Sequence, residues 1–261
     1  MQMRGYKKYI NEYTLSHPIS SKRIDYLRNN ANFTASNHAI NRFLQPKMDM
    51  VLAKLEGFLD DPKEVVAKYR NDISDAGLYA STVAYYRDAN LNMALKNIDR
   101  LIKRKKDGYF YELKGQILFE SGQVAKSVIE FNKAINLLQG KQQLYSLILL
   151  AQALIDNAKN DQQLLEFAVE KLQIAQSMAP SNANISRLLN IAYGRSGNQF
   201  LANYHYANYK YLAGDLKKAL QFAKKAEDQA KQSKKISDSN KIKLEDLIQI
   251  IENDNRLQSK N

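Results

Sequence analysis

The sequence predicts an all-α protein, a solenoid of four clear helix–turn–helix units and a degenerate fifth. Three observations carry this. Only 10 glycines and 4 prolines occur in 261 residues, too few for a protein of short strands and tight turns. From residue 75 onward, small, apolar and aromatic residues recur with a period of about 34. Apolar positions between the turns follow helical rather than alternating spacing.

The first 74 residues do not repeat and read as a helical connector. Residues 5–13 and 21–29 are expected to be helical. Between them Pro18 disfavours helix at His17, and Ser20 or Ser21 can cap the second helix. A further helix is expected over Pro46–Leu59, and a short one runs from Pro62 to Tyr69. Pro62 suits a first helical turn and Asp61 its cap.

The array is expected to cover residues 75–230. Its clearest unit is Gly108–Gln139, with Tyr111, Gly115, Leu118, Gly122, Phe131 and Ala134. Small residues let the two helices approach, larger ones fill the groove beside them, and Gly122 permits the turn. An upstream copy carries Tyr85, Ala94 and Leu101, with Ala89–Asn90 at the turn. A downstream copy has Leu150, Ala151, Leu154, Ala168, Ala175 and Pro180, in register only with extra residues around Asn157–Asp161. Gly197 and Gly214 are half a period apart, so the helix between them should close one unit and open the next. Ala219 and Ala226 hold the small positions of the last unit. Residues 231–261 read as a polar linker and a capping helix, whose Leu244, Leu247, Ile248 and Ile251 lie on one face.

The pattern of Gly108–Gln139 resembles the tetratricopeptide repeat (TPR), with Lys114 where Leu is usual and Ser127 where Ala is usual. The resemblance implies a right-handed superhelix that binds proteins or peptides on the concave face of its first helices. By that pattern the face comprises Tyr79, Tyr86, Arg87, Tyr109, Glu112, Gln116, Tyr145, Gln152, Asn184, Arg187, Arg195, Tyr204 and Asn208. Tyrosine and arginine suit such a surface because they combine contact area with polar reach. Each of these residues also has a plainer reading, as part of a solvated solenoid surface.

A second resemblance covers the connector. Ser16-His17-Pro18, the Arg23–Arg28 stretch RIDYLR, Leu55-Glu56-Gly57-Phe58-Leu59, Pro62 and Val65-Val66 follow one another as in BepA-like, HtpX-related zinc metallopeptidases. With the TPR array behind them, they match the C-terminal half of that family over essentially the whole chain. The family's HExxH helix and its later glutamate ligand are not in this sequence; they and the export signal would belong upstream of Met1. The resemblance implies a periplasmic or envelope location and a peptidase domain docked through residues 1–74. It also implies zinc in the intact protein, with His17 near the metal only when that domain is present. A complete gene product with this sequence would instead be expected in the cytoplasm, because the chain has no export signal.

The residues themselves exclude much chemistry. Cysteine is absent, and the three histidines (His17, His38, His205) form no HExxH and no i, i+4 pair. Walker, GxGxxG and GxSxG motifs are missing. The chain alone is therefore not expected to be an enzyme or to hold a cofactor, and no apolar run reaches the roughly 20 residues needed to span a bilayer. The net charge of +12 raises nucleic acid as a partner. However, the basic run Lys103–Lys106 sits at a helix C-terminus, where cations meet the dipole favourably, and Lys231, Lys234 and Lys235 lie in the linker. The interleaving of tyrosines with Lys210 over Tyr204–Tyr211 belongs to no recognised nucleic-acid motif. Nucleic-acid binding is disfavoured. A homodimer through an exposed apolar patch of the connector is a further expectation, and a freestanding TPR adaptor is the alternative to a peptidase fragment.

Overall fold

The computed structural model describes residues 36–159, 161–233 and 236–258, and no strand occurs among them. The His17 loop and the segments 5–13 and 21–29 lie outside the described residues. The chain forms two compact units, Met1–Leu52 and Ala53–Asn261. The second begins inside the segment assigned to the connector. There Ala53 and Val65 bury against Ala80 and Ala84, so residues from 53 onward share a core with the first repeat.

Helix α1 (Ser36–Leu59) is longer than expected and passes through Pro46 instead of starting at it. In the first unit it leaves Leu44, Met48, Val51 and Leu52 exposed. Helix α2 (Pro62–Lys68) starts as expected, the Asp61 carboxylate accepting the Lys63 and Glu64 amides. The Glu56 carboxylate holds α2 in place, accepting from Lys68 Nζ at 2.7 Å and from the Tyr69 hydroxyl at 2.5 Å.

The array follows as α3 (Asp75–Arg87), α4 (Leu91–Arg104), α5 (Gly108–Glu120), α6 (Val124–Leu137), α7 (Leu144–Asn157), α8 (Gln162–Met178), α9 (Ala183–Arg195), α10 (Gln199–Leu212) and α11 (Leu216–Gln232). Short polar side chains start most of these helices: Ser74, Asn90, Asp107, Asp161, Asn182, Asn198 and Asp215 each accept a first-turn amide. The turns inside the units need left-handed backbone. Gly122, Gly197 and Gly214 supply it with φ of 77°, 81° and 79°, and Ala89 adopts the same region at 56°.

Each unit closes over small residues. Ala94, Ala134, Ala168 and Ala219 are fully buried, and Gly115 faces the buried Phe131 ring so closely that a Cβ would stand 2.6 Å from it. The two departures from the repeat pattern have partners. Lys114 reaches Asp99 at 2.9 Å and Glu130 at 3.5 Å, and the Ser127 hydroxyl donates to the Val124 carbonyl at 2.7 Å. Helix α10 packs along both α9 and α11, as the half-period spacing of its flanking glycines requires. Helix α12 (Asp238–Gln258) ends the array, with Leu244, Leu247 and Ile251 buried in one cluster with Ala219, Ala223 and Ala226. Its opposite face is solvated and carries Lys243, Glu245 and Asp246. That is the asymmetry a terminal helix of a solenoid needs.

Candidate protein-binding face

The first helices α3, α5 and α7 bring part of the anticipated surface together. Glu112 is half-buried on α5 and accepts a hydrogen bond from the Ser146 hydroxyl of α7 at 2.6 Å. The two residues are 34 positions apart, one repeat. Burial raises the Glu112 carboxyl above the ordinary glutamate range, against the opposing pull of Ser146 and of the Lys54 ammonium. Lys54, from the last turns of α1, lies 5.8 Å from the centroid of the Tyr109 ring. Tyr109 itself is 40% exposed, and Tyr145, at the start of α7, is 71% exposed.

The same one-repeat spacing joins Tyr86 and Glu120, the tyrosine hydroxyl donating to the carboxylate. Burial, then the Glu120 contact, raises the Tyr86 phenol, which also meets Gln116. Tyr79 is buried, its ring centroid 5.8 Å from that of Phe110, so it forms the floor of this region rather than its surface.

Two anticipated binding residues have structural partners instead. Arg87 Nη1 donates to the carbonyls of Gly57 (2.9 Å) and Asp60 (2.6 Å), and the Arg195 guanidinium donates to those of Ile155 and Lys159. Further along, Asn184 Oδ1 accepts from Arg187 Nε and Nη2 at 3.0 and 2.8 Å, and Asn208 Nδ2 donates to Ser186 Oγ at 2.8 Å. Gln152 is half-buried. Tyr204 packs edge-on against His205, whose other neighbour, Tyr193, stacks on it at 5.4 Å. His205 is buried with Nδ1 unpaired, and burial lowers its pKa to about 3, Lys243 adding to the effect.

Lys54, Glu120 and Ser146 join this surface without having been identified in the sequence. Ser146 and Glu120 were legible in principle, each one repeat from an anticipated residue. Lys54 precedes the repeats, and no spacing points to it. Among the described residues no group of three or more His, Asp or Glu could hold a metal, so the chain's own residues there do not fit a zinc site. Among the described residues no helix is long and apolar enough to cross a membrane.

Helix pairs of about one repeat length, glycine turns and a face of first helices define a TPR-type helical solenoid. Solved structures share this fold. The chain matches PilW, a type IV pilus biogenesis factor, with a TM-score of 0.55 and 14% identity over 76% of this chain and 97% of that one. It matches YrrB, described as a TPR protein with an unusual peptide-binding site, with a TM-score of 0.54 and 13% identity over 71% and 98%. The C-terminal part of a TPR repeat-containing protein from Cytophaga hutchinsonii gives 0.54 and 16% identity over 76% and 78%. At these identities the likeness is one of fold. No protein-family model matches the chain, and no curated protein matches its sequence.

Proposed function

We propose that this chain is a protein-interaction module that holds an extended polypeptide segment along α3, α5 and α7. The observation that carries the reading is the pair of exposed rings, Tyr109 and Tyr145, on successive first helices, with the half-buried Glu112 one helical turn beyond Tyr109. Exposed tyrosines over a rigid helical scaffold supply contact area at low entropic cost. Peptide-array binding tests it. The double variant Tyr109→Ala/Tyr145→Ala should lose most peptide binding while keeping its Tm. Unchanged binding would move the site elsewhere.

In its finer form, the module selects substrates or partners for a zinc metallopeptidase of the bacterial envelope. The order of motifs from Ser16 to Val66 supports this, as do the exposed Leu44, Met48, Val51 and Leu52 of α1, which suit contact with another domain. Catalysis would then belong to the peptidase domain, where zinc activates the attacking water. A freestanding adaptor is the second reading, supported by structural neighbours whose own chains are matched almost end to end. The genomic sequence upstream of residue 1 separates the two. A frame encoding HExxH and a later glutamate supports the peptidase, and an unrelated intact gene there supports the adaptor.

A further inference from the structure

We infer that the surface between α1, α5 and α7 receives a lysine or arginine side chain of the bound polypeptide, against Glu112 and Tyr109, and that Lys54 stands in that place until it is displaced. The inference rests on the peptide-binding reading above and names the chemistry of the segment bound.

A half-buried carboxylate needs a counter-charge, because burial without one is costly. Glu112 receives a single hydrogen bond among the described side chains, from the uncharged Ser146 hydroxyl. Among the described residues the one cation acting on it is Lys54. That ammonium is poorly held: its side chain is exposed, and at 5.8 Å it lies at the outer limit of a useful cation–π contact with Tyr109. The site is thus built for a positive charge beside a ring face, and its own chain fills it loosely. An incoming ammonium or guanidinium would meet the same carboxylate, with the exposed Tyr109 three residues before Glu112 and the exposed Tyr145 immediately before Ser146. An acidic side chain would face Glu112 directly and be rejected. Displacement of Lys54 also makes binding competitive with an internal ligand, so the apparent affinity is reduced by the fraction of time the site is filled.

Two blocked pentapeptides, acetyl-AAKAA-amide and acetyl-AAEAA-amide, serve as probes in amide chemical-shift titrations at millimolar concentration. The lysine peptide should move the Tyr109, Glu112 and Ser146 resonances saturably, and the glutamate peptide should not. Lys54→Met, at an exposed position, should tighten the lysine peptide by about threefold or more. Glu112→Gln, which keeps the acceptor for Ser146, should erase the difference between the two peptides. Equal binding of both by the unaltered chain overturns the inference. So does unchanged affinity for the lysine peptide in Lys54→Met. Array binding that still depends on Tyr109 and Tyr145 would then leave the broader peptide-binding reading intact, and its loss would remove both.

Discussion

Arg87 and Arg195 occupy the same place, the last residue of α3 and of α9, and each guanidinium clasps main-chain carbonyls in the turn that ends an earlier helix. Arg195 holds the end of α7, a first helix of the array. Arg87 holds the end of α1 at Gly57 and Asp60. Toward α3, the last turns of α1 therefore behave as the first helix of a preceding unit, with α2 as its shortened second helix. These carbonyls lie where the intrahelical ladder runs out, and a permanently charged guanidinium can serve two of them at once, from Nη1 alone in Arg87 and from both terminal nitrogens in Arg195.

Arg195→Ala is expected to destabilise the chain by about 1–3 kcal/mol, the range for losing a charged hydrogen bond to partly buried partners. Arg195→Lys should recover only part, since one ammonium cannot reproduce the fork. Urea unfolding of the three proteins measures this. Equal stability of all three would remove the clasp as a structural element.

Gly115→Ala tests a close helix crossing. The new methyl would meet the fully buried Phe131 ring at 2.6 Å, and overpacking of this kind costs about 1–3 kcal/mol. The opposite sign is expected at Ala89, where φ is 56° in a turn that glycine occupies in three other places. Ala89→Gly should stabilise by about 1 kcal/mol, the order of the left-handed penalty it relieves. Thermal melts of both variants should shift in opposite directions.

His205 sets a pH dependence. It lies between the stacked ring of Tyr193 and the edge-on ring of Tyr204, buried and neutral, with its pKa lowered to about 3 by burial. The unfolded chain binds a proton near pH 6.5 and the folded chain does not, so stability is full above pH 6.5 and falls as pH drops toward 3. The slope from this group is about 1.4 kcal/mol per pH unit within that window. In His205→Phe the slope should flatten, and the orphaned Nδ1 is removed with it. A pH series of denaturant midpoints checks it; identical slopes in both proteins would refute the assignment.

At Glu112 the sign runs the other way. Its folded pKa lies above the unfolded value, so the ionised group opposes folding once pH rises past the folded pKa, and this penalty disappears as pH falls through the unfolded value near 4.5. Glu112→Gln is therefore expected to keep or raise Tm at pH 7. A fall of many degrees would mean that the carboxylate contributes to stability through a contact other than Ser146.

Much of this architecture was legible in the sequence because it depends on local rules. Gly122, Gly197 and Gly214 mark turns that need positive φ, and Ala94, Ala134 and Ala168 mark crossings that need small volume. Both signals repeat, so each unit corroborates the next. Helix α1 escaped because Pro46 reads as a helix start, yet the helix continues on both sides of it.

The surface was less legible. Spacing assigns a residue to a face but not to a partner. It placed Tyr109 and Tyr145 where they remain exposed, and it placed Tyr79, Arg87 and Arg195 on the same face although packing buries the first and carbonyls engage the other two. The sequence by itself determined the helices, their turns and the period, since these follow from backbone conformation and side-chain volume at each position. Tertiary structure alone decided which polar groups are left to meet a ligand. That depends on helices distant in sequence, as when Ser146 bonds Glu112 and Lys54 reaches Tyr109 from outside the repeats.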